Sequence, residues 1–120
     1  MWISIIYFLP KSYRLHNAEE FSAVLRLRCF ASGEFFQIFA KPNNLVHPRL
    51  GLIVAGKVEH LAVNRNRAKR LLRELFRMRQ QYLAGLDLVV RLRRSLPCEG
   101  LSKVTAEAEM LMIQLRRCRE

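Results

Sequence analysis

The segment from residue 64 to residue 84, NRNRAKRLLRELFRMRQQYLA, leaves the chain few choices. Place Arg65 at 0° and advance about 100° per residue; Ala68, Leu71, Leu72, Leu75, Phe76, Met78 and Tyr82 then fill an arc from roughly 220° through 0° to 20°. Lys69, Arg73, Arg77 and Arg70 fall between roughly 40° and 140°, with Asn66 near 100°. Only a helix sorts the residues this way. The spacing predicts one long helix over 64–84, stopped by Gly85. Its apolar arc must meet a core, and its other side is almost purely cationic.

That cationic side is costly to the helix. Arg65–Lys69, Lys69–Arg73 and Arg73–Arg77 are like-charge pairs at i, i+4, each unfavourable by a few tenths of a kcal/mol. Glu74 is the one acid placed to offset them, through Arg70 or Arg77. A merely solvated face would mix signs. Phosphates supply the missing negative charge most simply. The free N–H groups and positive dipole end of the helix start favour phosphate too, which places Arg65, Asn66 and Arg67 near a sugar-phosphate backbone.

The balance of the whole chain agrees. Lys and Arg total 21 against 10 acids, a formal charge of +11 on 120 residues. Only five of the 21 are lysines, which leaves 16 arginines, whose planar forks grip phosphate and stack on bases. A hydrophobic fraction of 51% is too high for a basic disordered tail and suits one core.

Around the basic helix the pattern is mixed. Asn17 and Glu20 have the spacing of a capping box, so a helix is expected from Ala18 to Leu27, with Phe21, Val24 and Leu25 on one face. A turn follows at Ser32-Gly33. Residues 34–40 read as a strand with Phe36 and Ile38 on one side and Phe35, Gln37 and Phe39 on the other. Phe35 and Phe36 are read as core residues. Residues 49–55 form a second strand, bracketed by Gly51 and Gly56, where the backbone bends or is closely approached. Residues 87–92 form a third. Leu101, Val104, Ala108, Leu111 and Leu115 make the stripe of a last helix. Helices and strands in this order give an α+β fold. One domain is expected over 13–120, after an apolar N-terminal extension over 1–12 that packs on it or frays. That extension is too short to span a bilayer, and it lacks the charged start and cleavage site of a secretory signal. Cys29, Cys98 and Cys118 have neither metal spacing nor a disulfide framework. They read as small buried hydrophobes or idle thiols in a reducing cytosol.

The residues Arg65-Asn66-Arg67-Ala68-Lys69-Arg70-Leu71-Leu72-Arg73-Glu74 resemble the signature of the bacterial ribonuclease P protein family. The likeness extends to Tyr13-Arg14-Leu15, Phe21, His47-Pro48-Arg49-Leu50-Gly51-Leu52, Ala62-Val63 and Asp87-Leu88-Val89-Val90. It implies a two-layer α/β sandwich of order αβββαβα with a left-handed βαβ crossover, against the usual right-handed rule. It implies a cytoplasmic protein subunit, one per RNA, that binds a catalytic RNA and the 5′ leader of precursor tRNA. Hydrolysis is then carried by the RNA with bound Mg²⁺, and the protein holds no metal of its own. Lys57, Arg65, Asn66, Arg67, Lys69, Arg70 and Arg73 fall at the RNA interface, and Arg77 shares their cationic face. Phe21 and Phe39 match aromatic positions of a leader cleft, where rings stack on unpaired bases of any sequence; plain core packing is the alternative for both. Leu25 stands where the family often has another aromatic, and Gly56-Lys57 where it has two lysines.

The acids fit a non-catalytic protein. A two-metal nuclease gathers several carboxylates; this chain has one Asp, Asp87, and nine scattered Glu. Other readings remain distinct in kind. A ribosome-type structural RNA-binding protein would share the charge. A membrane-surface helix would not commit its apolar arc to a core. A helix-turn-helix DNA binder would not have a strand before the basic helix.

Overall fold

Asn17 starts the first helix as its side chain suggests. Its Oδ1 accepts from the Glu20 N–H at 2.9 Å, and the Glu20 carboxylate accepts from the N–H groups of Asn17 and His16. A computed structural model describes residues 10–119, and in it this box opens helix α1, Ala18–Leu27. The expectations for residues 1–9 lie outside the described residues. Before α1, Lys11–Tyr13 forms a 3-10 turn, and Arg14 bridges to Leu50.

After α1 come strands β1 (Phe30–Ser32), β2 (Phe36–Pro42) and β3 (Arg49–Ile53). Helix α2 (Ala62–Met78), strand β4 (Leu86–Leu92) and helix α3 (Leu101–Gln114) follow, with a 3-10 turn over Leu115–Arg119. The strands form one sheet of order β1-β2-β4-β3, in which β4 runs antiparallel to β2 and parallel to β3. The fold is α+β, with α2 carrying the chain from β3 to its parallel neighbour β4.

Alternation along the strands divides the sheet into two faces. Phe36, Ile38 and Ala40 of β2, and Leu88, Val90 and Leu92 of β4, enter the main core with Ala68, Leu72, Leu75 and Phe76 of α2 and Val104, Ala108, Leu111 and Met112 of α3. Phe35 precedes β2 and also packs on this core. On the other face Val89 meets Leu15 and Val24, with Phe21, Leu25, Phe39 and Ile53 around them. Helix α1 therefore covers part of that face. Glu107 of α3 ties the start of β2, accepting from the N–H groups of Glu34, Phe35 and Phe36 at 2.8–2.9 Å.

Three sequence expectations need correction. Helix α2 begins at Ala62 and ends at Met78, not over 64–84. Its last turn tightens where the Arg79 N–H reaches the carbonyls of Leu75 and Phe76, and the Arg79 side chain turns away to pair with Glu109 of α3. Gly85, at φ 85°, follows later and sets the turn into β4. Tyr82, beyond the helix, is exposed instead of joining the core, and so is Met78, the last helical residue, which stands at the edge of the apolar arc. The segment after α1 is also not only a turn: β1 pairs with β2, Phe30 opposite Phe39. Finally, Cys29 and Cys118 are joined in a disulfide with Cα atoms 6.0 Å apart. Their separation of 89 residues hides that contact from any local pattern. Cys98 is free and exposed.

Candidate nucleic-acid interface

The cationic face of α2 is built on a row of buried side chains. Ala68, Leu72, Leu75 and Phe76 are buried at helical spacing, and this fixes which way the opposite side looks. Among the described residues, the cations on that side do not all do the same thing. Lys69 and Arg73 line a cavity of about 170 Å³ with Arg14, Leu15, Phe21, Leu50, Gly51 and Leu52. Burial, and then the positive charge of Arg14, push the Arg73 guanidinium below its ordinary range. Arg14 Nε is itself buried without a hydrogen-bond partner. Three cations thus converge on one concavity that, among the described residues, no carboxylate lines. An anion entering there would relieve the repulsion.

The remaining predicted residues lie around this centre. Arg65 turns back to the loop before α2, where its Nη1 donates to the Glu59 and His60 carbonyls at 3.1 and 2.9 Å. Asn66 and Arg70 are exposed on the helix, and Lys57 is exposed in the turn before it. Arg67 reaches toward α3, donating through Nη2 to the Pro97 carbonyl at 2.9 Å, and its Nε is buried without a partner. Arg77 pairs with Glu74 at 2.9 Å, one of the two partners the spacing offers. Because α2 starts at Ala62, residues 65–67 stand a turn inside the helix, away from its open N–H groups. That part of the phosphate argument does not hold for them. The N-cap, Leu61, supplies no side-chain hydrogen bond.

The two predicted aromatics occupy different concavities. The cross-strand register sets Phe30, Phe39, Val89 and Gly51 in one row across all four strands. Val89 is covered together with Val24 of α1. On the β3 side the Phe21 ring lies on Gly51, where an added Cβ would be 2.6 Å from two of its ring carbons. Only glycine admits the ring there, which accounts for the close approach expected at this residue. On the β1 side Phe39 meets Phe30 at 5.3 Å between ring centroids. With Leu25, Arg28, Gln37 and Arg91 they line a second concavity of about 350 Å³. Phe39 is half-buried, so its ring both packs on the small core and borders this open space.

Arg28, Phe30 and Arg91 were not singled out by the sequence, and Arg14 entered only within the family likeness, without a role. Arg91 could have been: strand alternation puts it two residues from Val89 and on the same face as Phe39, where it bonds Gln37. Arg14 depends on a contact between distant segments and carried no local signal. Asp87 has a structural role. It is buried at the strand start, receives Arg49 Nε and Nη2 at 2.8 and 2.7 Å, and also accepts from Asn43 at 2.9 Å. Arg49 in turn reaches Glu20 of α1 at 3.0 Å, and its hydrogen bonds to Asp87 hold its guanidinium above the ordinary range. This triad anchors α1 beside the two concavities. Among the described residues, no three His, Cys, Asp or Glu side chains gather as a metal-ligand set. No described helix is long and apolar enough to cross a membrane.

Comparison with known proteins points the same way as the geometry. The family model described as Ribonuclease P matches residues 9–116. The ribonuclease P protein component of Chromobacterium violaceum is 43% identical over 113 residues, covering 94% of this chain and 93% of that protein. That of Nitrosomonas eutropha is 46% identical over 114 residues, covering 93% and 94%. Among solved structures, the RNase P protein of Staphylococcus aureus aligns with a TM-score of 0.68 at 24% identity, covering 89% of this chain and 94% of that one. The RNase P protein of Thermotoga maritima, in complex with 1-(4-fluorophenyl)-2-thiourea, aligns with a TM-score of 0.62 at 28% identity, covering 87% and 91%. A match over nearly the whole length means that this chain belongs to the ribonuclease P protein family.

Proposed function

We propose that this chain is the cytoplasmic protein subunit of a ribonuclease P ribonucleoprotein, one copy per RNA, and that it docks on the catalytic RNA and guides the 5′ leader of precursor tRNA. The single observation behind this reading is the convergence of Arg14, Lys69 and Arg73 on one concavity that also holds Phe21. Such a site takes a phosphate of a single strand while a ring contacts the adjoining base or sugar. Lys57 before α2 and Arg65, Arg67, Arg70 and Arg77 along it extend the basic surface and screen repulsion between two RNAs, and Asn66 adds a neutral hydrogen-bonding group among them. Phe39, with Phe30 beside it, is the second platform for unpaired leader bases.

The chemistry itself is assigned to RNA. A protein site that hydrolysed phosphodiesters with two metal ions would gather several carboxylates at one place. Six of the nine described carboxylates are engaged elsewhere: Asp87 and Glu20 with Arg49, Glu74 with Arg77, Glu109 with Arg79, Glu34 with Arg94, and Glu107 with backbone N–H groups. Mg²⁺ would be held by the RNA subunit and the substrate. Reconstitution tests the reading. At low Mg²⁺, precursor tRNA should lose its leader only when this protein and its cognate RNA are both present. Cleavage by the protein alone would contradict the assignment.

A further inference from the structure

A second basic cluster shares no residue with the first. Tyr82, Ile113, Gln114, Arg116, Arg117 and Arg119 line a groove of about 430 Å³ at the end of α3. The chain there is a 3-10 turn, whose three-residue period puts Arg116 and Arg119 on the same side. Among the described residues no carboxylate lines the groove, and none of the three arginines has an ion-pair partner. Their hydrogen bonds go to neutral carbonyls: Arg117 to Gln114 and Phe30 at 2.8 and 2.9 Å, Arg119 to Ala84 at 2.8 Å. These bonds fix the side chains without cancelling their charge. The Arg116 guanidinium carbon lies over the Tyr82 ring, 4.3 Å from its centroid, a cation–π contact. The turn is also anchored from within, by buried Leu115 and by the Cys118–Cys29 disulfide to the segment before β1.

One cation is enough to bond the open carbonyls at a helix C-terminus, and Arg117 does so. Three arginines in four residues exceed that need, and they repel one another. A rigid, unbalanced set of guanidinium forks beside an aromatic ring suits a phosphodiester backbone with a base laid on the stack.

We infer that the groove of Tyr82, Arg116, Arg117 and Arg119 is a second RNA-backbone contact, separate from the α2 face. The inference rests on the reading of the chain as an RNA-binding subunit. The backbone can come from the catalytic RNA or from precursor tRNA, and the experiment has an arm for each.

The full-length, oxidised protein is treated with phenylglyoxal, which modifies accessible arginines, and each site is quantified by mass spectrometry. One arm adds the catalytic RNA, and the other adds precursor tRNA to the preformed complex. Protection of Arg116 and Arg119 in either arm is expected. Protection of Arg70 on α2 without protection of Arg116 and Arg119 in either arm overturns this inference and leaves the α2 reading standing. Protection of none of them overturns both. Protection by anionic phosphatidylserine vesicles but not by RNA also overturns it, in favour of a lipid surface. In parallel, R116A/R119A should lower the salt slope of RNA binding by about two units, while R116K/R119K retains it. An unchanged slope in a folded R116A/R119A protein counts against the contact.

Discussion

Phe21 and Gly51 form a matched pair: the ring lies where a side chain on residue 51 would have to be. The contact seats α1 on β3 and shapes the wall of the cavity that Arg14, Lys69 and Arg73 line. Gly51→Ala must therefore move the ring or the strand. We expect a loss of about 1–3 kcal/mol, as in other overpacked cores, read as a lower urea midpoint with little change in slope. RNA affinity should fall as well. Unchanged stability and binding would mean that α1 shifts freely and that the cavity wall is not set by this contact.

The Phe39 platform predicts a selective defect. Phe39→Ala removes one stacking surface, worth about 1–3 kcal/mol per base. Binding of leader-bearing precursor tRNA to the complex should weaken by roughly that amount, with mature tRNA unaffected. Equal loss for both would identify Phe39 as a packing residue only, consistent with its contact to the Val24–Val89 cluster.

The disulfide makes a stability prediction. Closing a loop as long as the one between Cys29 and Cys118 stabilises by up to about 4.6 kcal/mol on the chain-entropy account. Reduction by dithiothreitol, or Cys118→Ser, should lower the urea midpoint and loosen the turn that carries Arg116, Arg117 and Arg119. In a reducing cytosol the pair would spend part of its time open, so its oxidised fraction in cells is worth measuring by thiol trapping. Equal midpoints for oxidised and reduced protein would contradict a structural role.

Glu20 links acid stability to the position of α1. Its carboxyl is held below the ordinary range, first by the His16 N–H hydrogen bond, and also by the Asn17 N–H and Arg49. A group with a depressed folded pKa contributes stability that is present above its unfolded value and lost as pH falls through its folded value. Glu20→Gln should therefore weaken the protein at neutral pH and flatten the decline of stability toward acid. The same steep acid decline in both proteins would place its origin elsewhere.

Local chemistry was readable wherever the causes were local. The Asn17–Glu20 box starts α1 at the residue its spacing predicts, and the Val104, Ala108, Leu111, Leu115 stripe is buried as its period demands. Residue spacing alone placed Lys69 and Arg73 on one cationic face of α2, together with Arg70 and Arg77. What the sequence could not show depended on the chain meeting itself. Arg14 joins those two cations only because the segment before α1 bridges to Leu50. Phe30 gains its place beside Phe39 from a three-residue strand too short to leave a pattern. The end of α2 was misplaced because Arg79 finds Glu109 on another helix, a competitor that a helical wheel does not contain.

The central claim is that the cations of α2 and Arg14 exist for RNA phosphates, and the salt dependence of binding tests it most directly. The slope of log K against log salt is measured for the catalytic RNA and for the complex with precursor tRNA, using native protein and the variants Arg14→Ala, Lys69→Ala and Arg73→Ala. Each variant should remain folded and flatten the slope by about one unit in one of the two measurements. Native slopes in all three variants, in both measurements, would show that RNA lies elsewhere and that the concavity serves another purpose.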